Sequence, residues 1–233
     1  TKDGPFNDCG AFGSPNWLEF DPKYPHLVYV AADRGAGDEN EGNGNMRILD
    51  LKNQYVGTAL TEGDMGGTNR GRALAFFDEN HMAVAVDQGD ELRAAVYGFT
   101  RNREAPEGDE RNYKMWGNRL ALVNFKACNT VTFHPVDGDM YFNSWDKGQF
   151  FKVEKQQIQE IFDGTRTTPA DKEVLFQMDN GWEYNIRIHP TGNYAYIVSI
   201  NKHYIQRTNY DWASKRFVTP FIVAGTAERA AYV

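Results

Sequence analysis

A chain of 233 residues is long enough for one large domain with a sizeable core, and its formal net charge of −7 lacks the basic face that nucleic-acid binding demands. No run of about 18 apolar residues occurs, so no helical membrane span is predicted. Two cysteines, Cys9 and Cys128, are too few for a disulfide framework and lack metal-ligand spacing; Cys128 reads as a small buried hydrophobe.

Residues 1–14 show no periodicity and read as a connecting loop. Residues 18–30 alternate apolar and polar, turn through Asp21, Pro22 and Pro25, and alternate again, which is a hairpin signal. Residues 33–45 are rich in Gly, Asp, Glu and Asn. They lack the EF-hand pattern, so a solvated loop is favoured over a Ca²⁺ site, the one cofactor conceivable here. Third and fourth strands are predicted over 46–51 and 55–60. A weaker hairpin copy covers 74–86, followed by strands over 94–99 and 120–125 with a charged loop, 101–112, between them. The strongest copy is 129–146, with His134 to Asp139 as its turn, followed by a strand over 149–153. In 154–163, Ile158, Ile161 and Phe162 share a helical face and Gly164 stands at the C-cap. A short helix packed outside the sheet is expected, its stripe being core rather than a docking surface. A strand over 174–178, a hairpin over 186–198 and strands over 204–208 and 217–224 complete the chain, which runs on into a connector over 226–233.

The hairpins recur. Aligning Phe20, Phe77, Phe133 and Ile188 gives separations of 57, 56 and 55 residues, and a near-constant period indicates a repeat architecture. Four short strands per repeat predict an all-β fold, a β-propeller of four-stranded blades, with a plain sandwich as the competing reading. The chain is expected to form a single propeller domain or fragment over 1–233, with blades at approximately 12–66, 67–125, 126–179 and 180–225. An open arc would leave the first and last blades with uncovered faces, so further blades or partners are expected beside them.

Innermost strands of a propeller line a central channel, and the loops entering them form one mouth. Four residues before the aligned positions stand Asn16, Ala73, Asn129 and Tyr184, with Trp17, Arg72 and Asn185 adjacent. Glu19 and Arg187 are charges within apolar inner strands, costly unless paired or wet. The predicted binding mouth is Asn16, Trp17, Arg72, Asn129, Tyr184, Asn185 and Arg187. Trp145 and Trp182, with Trp116, offer flat apolar faces if they are not spent on packing between blades. Planar amides, guanidinium groups and aromatic rings together suit a sugar. The alternative is that these groups hydrate the channel and satisfy one another.

Signs of catalysis are thin: Gly-x-Ser-x-Gly, His-Glu-x-x-His and phosphate-binding glycine loops do not occur, and no catalytic residue or metal ligand is assigned. His26, His81, His134 and His189 fall in equivalent turns of different repeats and read as turn residues. His203 lies just past a strand.

The lead-in Phe12-Gly13-Ser14-Pro15, the Phe-Asp-Pro and Ile-His-Pro-Thr-Gly-Asn hairpins, and the late Val-Ala-Gly-Thr followed by Tyr232 resemble an NHL-repeat propeller. More narrowly, they resemble the bacterial surface proteins that join an IPT/TIG immunoglobulin-like domain to such a propeller. The resemblance implies a ring of about six blades, secretion to the bacterial surface, and an association with glycan use. The function expected is a non-catalytic module, secreted or at the cell surface, that binds a glycan or other small polar ligand. Two alternatives stay open. One is a metal-assisted lactonase or lyase, its ligand set begun by Glu19, Asn129 and Asn185; the other is a scaffold for a protein partner.

Overall fold

A computed structural model of the chain describes residues 3–7, 15–32, 46–61, 63–66, 71–86, 94–107, 110–126, 128–144, 147–178, 184–199 and 203–225, with backbone alone at 16, 32, 94 and 184. The first sheet holds β1 (Gly4–Pro5), β2 (Pro15–Phe20), β3 (Leu27–Ala32), β4 (Met46–Asp50) and β5 (Tyr55–Leu60), in the spatial order β1-β5-β4-β3-β2. The second is β6 (Gly71–Phe76), β7 (His81–Val86), β8 (Ala94–Thr100) and β9 (Leu120–Asn124), adjacent in sequence order. The third is β10 (Cys128–Phe133), β11 (Met140–Ser144), β12 (Gln149–Val153) and β13 (Glu173–Gln177), with α1 (Lys155–Phe162) between its last two strands. The fourth is β14 (Tyr184–Ile188), β15 (Tyr194–Ser199) and β16 (Tyr204–Asp211), whose outer edge pairs with both β17 (Arg216–Phe217) and β18 (Phe221–Gly225).

Each sheet is an antiparallel meander, and the first strands lie together: β10 packs beside β6 and β14, and β6 beside β2. The architecture is therefore a β-propeller of four-stranded blades. Sheets pack face to face through large rings. Tyr29 of the first sheet meets Phe76 and Trp116 of the second. Phe125 of the second meets Phe142 and Phe151 of the third. Tyr141 and Phe150 of the third enter a cluster with Ile186, Ile197, Tyr210 and Phe217 of the fourth.

Polar clamps reinforce these seams. Arg101 Nη2 bonds both oxygens of Asp21, at 3.0 and 2.8 Å, with both side chains almost fully buried. Tyr29 donates to the same carboxylate and Trp116 Nε1 donates to Tyr29. At the opposite seam His134 is buried, with Nδ1 2.8 Å from Asp137 and Nε2 2.9 Å from the Gly192 carbonyl, its ring stacked on Tyr210. It remains a turn residue, as its position implies, but one that joins two blades.

The helix forms where its stripe predicts. Ile158 and Ile161 are buried, Phe162 packs on Phe77, and Gly164 takes a positive φ of 74° as the chain leaves it. Cys128 is buried as expected. The loop at 33–45 and Cys9 lie outside the described residues.

Three expectations need correction. Residues 1–14 are not wholly a loop, because Gly4–Pro5 adds to the outer edge of β5 while the Asp3 carboxylate takes a bond from Thr58 and pairs with Arg47. Two residues of backbone pairing leave no periodicity to detect. The segment 217–224 is two strands rather than one: β17 closes a hairpin on the far end of β16, and β18 pairs again after Val218, Thr219 and Pro220. Proline has no N–H to offer the ladder there. Finally, in the second sheet the residue equivalent to Phe20 is Phe76, not Phe77. The pairs that close the four hairpins are Phe20 with Val28, Phe76 with Met82, Phe133 with Met140, and Ile188 with Ala195.

Candidate binding site at the channel mouth

That one-residue shift matters, because a slip of one exchanges the faces of a strand. Counting back four from the corrected positions reaches Asn16, Arg72, Asn129 and Tyr184. Arg72, not Ala73, is the true equivalent of Asn16.

The pairing at this rung is irregular in three of the four inner strands. Between β2 and β3, Pro15 faces Ala32 and Trp17 faces Ala31, which leaves Asn16 as an extra residue. Between β6 and β7, Gly71 faces Val86 and Ala73 faces Ala85, which leaves Arg72. Between β10 and β11, Cys128 faces Ser144 and Val131 faces Phe142, so Asn129 and Thr130 share one partner, Asn143. Asn143 Oδ1 accepts both of their backbone N–H groups, at 3.3 and 3.0 Å. The fourth hairpin runs in unbroken register from Tyr184 with Ser199 to Ile188 with Ala195. A bulge re-aims side chains and frees backbone polar groups, and bulges are frequent beside functional sites.

Trp17, Glu19 and Arg187 are drawn into direct contact. Arg187 Nη1 lies 2.9 Å from Glu19 Oε2 and Nη2 donates to the Leu18 carbonyl at 3.0 Å. The guanidinium carbon stands 3.7 Å from the centre of the Trp17 ring, a cation–π contact. The first strands of the first and fourth sheets are thereby joined. The two charges flagged in the sequence as costly satisfy each other, with the solvent screening expected of a half-exposed Arg187.

Register also shows where Arg187 and Asn185 stand. They face Tyr196 and Val198 across the ladder, on the side of the fourth sheet turned away from the third. Arg72 is half-buried and engaged by other protein groups. Asn129 is buried. Asn16 and Tyr184 are placed by their backbone alone, and Trp145 and Trp182 lie outside the described residues. Trp116 packs into the seam between the first two sheets, against Tyr29, Phe76 and the Arg101 guanidinium.

Three buried polar atoms at this end of the inner strands have no hydrogen-bond partner: Trp17 Nε1, Asn129 Oδ1 and Thr130 Oγ1. Buried polar groups are nearly always paired, so each unpaired one calls for a reason. Thr130 and Asn143 stand outside the mouth predicted from sequence. The available signal was the doubled polar pair Asn129-Thr130 ahead of an alternating run. Among the described residues, no three His, Cys, Asp or Glu side chains gather as a metal-binding group. Among the described residues, no helix is long and apolar enough to cross a membrane.

Two concavities stand out among the described residues, the second of them beside Val198 and Ser199, the ladder partners of Asn185 and Tyr184. One, of about 480 Å³, is walled by Asp64 of the β5–β6 connection and by Asn102, Asn118 and Arg119 of the β8–β9 loop. The other, of about 290 Å³, opens on the fourth sheet beside Val198, His203 and Ile205.

No protein-family model matches the chain, and neither does any curated protein. Solved structures do. An auxiliary nutrient binding protein of Bacteroides thetaiotaomicron is 32% identical over 98% of this chain and 46% of its own, with a TM-score of 0.74. A suggested phosphatase of the same organism is 32% identical over 94% of this chain and 48% of its own, with a TM-score of 0.77. An auxiliary nutrient binding protein of Bacteroides ovatus is 27% identical over 96% of this chain and 45% of its own, with a TM-score of 0.71. The chain spans about half the length of each.

Proposed function

We propose that the chain belongs to a ligand-binding propeller that takes a glycan as a nutrient at the channel mouth. The observation that carries this reading is the coincidence, at one rung of the inner strands, of bulges at Asn16, Arg72 and Asn129 with the unpaired polar atoms of Trp17, Asn129 and Thr130. Similarity to two auxiliary nutrient binding proteins supports a ligand of that kind. On this reading the four blades, at about 12–66, 67–125, 126–179 and 180–225, are part of a ring of about six. Further blades cover Leu18 and Phe20 on the first sheet and Tyr196 and Val198 on the fourth, all of them apolar and exposed. The protein is then an NHL-repeat propeller of the IPT/TIG-bearing kind, secreted or held at the cell surface. Glycan-array binding followed by titration calorimetry tests it. Arg72→Ala with Asn129→Ala should abolish retention of the bound sugar while the folded far-UV spectrum is kept. Undiminished binding by that double variant would move the site elsewhere.

A further inference from the structure

We propose that the seam between the third and fourth sheets is a proton-operated latch, in which a doubly protonated His134 holds Asp137 within reach of Tyr210 and the neutral ring lets it go. The latch does not depend on where a ligand binds. His134 stands in the β10–β11 turn with its side chain fully buried. Its Nε2 lies 2.9 Å from the Gly192 carbonyl of the β14–β15 turn, and its Nδ1 lies 2.8 Å from Asp137 Oδ1. A carbonyl and an ionised carboxylate only accept, while a neutral imidazole has a single N–H to give. Both contacts are satisfied together only when each ring nitrogen carries a proton. Gly192 permits the approach: a Cβ there would stand 2.7 Å from the ring Cε1.

The same turn supplies the second state. The Asp137 backbone N–H lies 3.3 Å from Nδ1, so a ring without a proton there accepts from the backbone instead. Its lone pair then faces the carboxylate, and the repulsion turns the carboxylate away. That carboxylate is what joins the sheets, because its other oxygen accepts the Tyr210 hydroxyl of β16, whose ring is stacked on His134 with 4.1 Å between centres. Moving Asp137 therefore breaks a bond between two blades. The remaining neighbours do not titrate in place of the ring. Tyr141 of β11, Trp212 just past β16 and Phe217 of β17 meet it through their rings. Burial first, then the bond to Asp137, raises the Tyr210 hydroxyl, and burial first raises that of Tyr141, so both keep their protons near neutral pH. Asp139, the other carboxylate of the turn, pairs with Lys152 of β12 at 2.9 Å and accepts from the Lys155 backbone, and Lys152 also donates to the Lys215 carbonyl. The proton favours the closed seam. Its contribution is complete below the unfolded imidazole value of about 6.5 and is lost as pH rises through the point where the folded pair releases it.

The test is NMR of the ¹⁵N-labelled chain, with His134 assigned by its absence from His134→Gln, together with amide hydrogen exchange corrected for the intrinsic rate at each pH. Should that variant fail to fold, nuclear Overhauser contacts to Tyr210 assign the ring. Near about pH 6 both ring nitrogens of His134 should carry protons, and Nδ1 should lose its proton by about pH 9. Over the same range, exchange at the Tyr210 and Val218 amides, which bond the Asn193 and Asn209 carbonyls, should accelerate at least about tenfold more than in β7. Asp137→Asn still accepts from Tyr210 but carries no charge to hold the proton, and should remove that pH dependence. One N–H on His134 at every pH, two at every pH, equal acceleration in β7 and the fourth sheet, or an unchanged pH dependence in Asp137→Asn would each overturn the latch.

Discussion

Two hairpin strands of similar composition end in different surroundings. In the second sheet β7, His-Met-Ala-Val-Ala-Val, is buried at every position after His81. In the fourth sheet β15, Tyr-Ala-Tyr-Ile-Val-Ser, buries Ala195, Ile197 and Ser199 while Tyr196 and Val198 stay about 40% exposed. The second sheet has a blade on each side, and the described part of the fourth has one. Apolar residues on both faces of a strand thus report that both faces are built to be covered. Whether they are covered depends on a neighbour that the strand does not itself encode.

The largest effects should fall between the internal blades. Phe142→Ala removes a ring stacked on Phe151 and fully buried, and should cost about 3–5 kcal/mol in urea unfolding. Asp21→Ala strands Arg101 in the seam without its counter-charge, and should cost about as much, roughly 3–5 kcal/mol. By contrast Glu173→Ala, which removes the half-exposed partner of Arg216 at the join of the third and fourth sheets, should cost about 0–1 kcal/mol. Similar losses for the two ion pairs would show that burial does not separate the seams.

An intermediate effect is expected at the seam to the fourth sheet. His134→Ala empties the stack on Tyr210 and leaves Asp137 and the Gly192 carbonyl without their ring partner, at about 1–3 kcal/mol. If the fourth blade is held chiefly by this clamp, protease cleavage within residues 203–225 should accelerate in the variant while cleavage in the second sheet does not. Equal acceleration in both would mean that the blades unfold as one unit.

Smaller effects come from pH. Burial alone raises Asp50, but the Asn53 backbone, the Tyr113 hydroxyl, the Asn53 amide and the charge of His26 outweigh it, and the carboxyl is held below its usual value. Its folded pKa is thus below the unfolded one. Its contribution is complete above the unfolded value of about 3.9 and is lost as pH falls through the folded value. Asp50→Asn should flatten that acid limb of the unfolding midpoint. Tyr29, Tyr113, Tyr141 and Tyr210 are all raised, by burial first and by nearby carboxylates or each other. Their contributions are complete below about pH 10 and are lost above it. Stability that is unchanged between about pH 9 and 11 would contradict this. The smallest effect is on the open face: Val198→Ser should stay within about 0.5 kcal/mol.

Much of the blade was legible because alternation and turn chemistry are local. The hairpin at Phe133, His134 and Met140, the helix stripe of Ile158 and Ile161, and the third and fourth strands of the first three sheets all follow from spacing. The short turn after Phe76 was not. It spans fewer residues than the others, and Phe77 looks as good a partner as Phe76 until the ladder is formed. The candidate mouth was legible as a set of residue types at repeated positions. That Trp17 lies under Arg187, that Trp116 is seam packing, and that the Thr130 hydroxyl is left unpaired were not.

What the amino-acid order determined by itself was the strand, the turn and their repetition, since each depends on neighbours a few residues away. What only the tertiary structure decided was which face of a blade is covered, which charges meet and which polar atoms go without partners. Glu19 and Arg187 stand 168 residues apart, and nothing in either local stretch specifies the other. Their pairing exists only because two first strands are brought to a common channel.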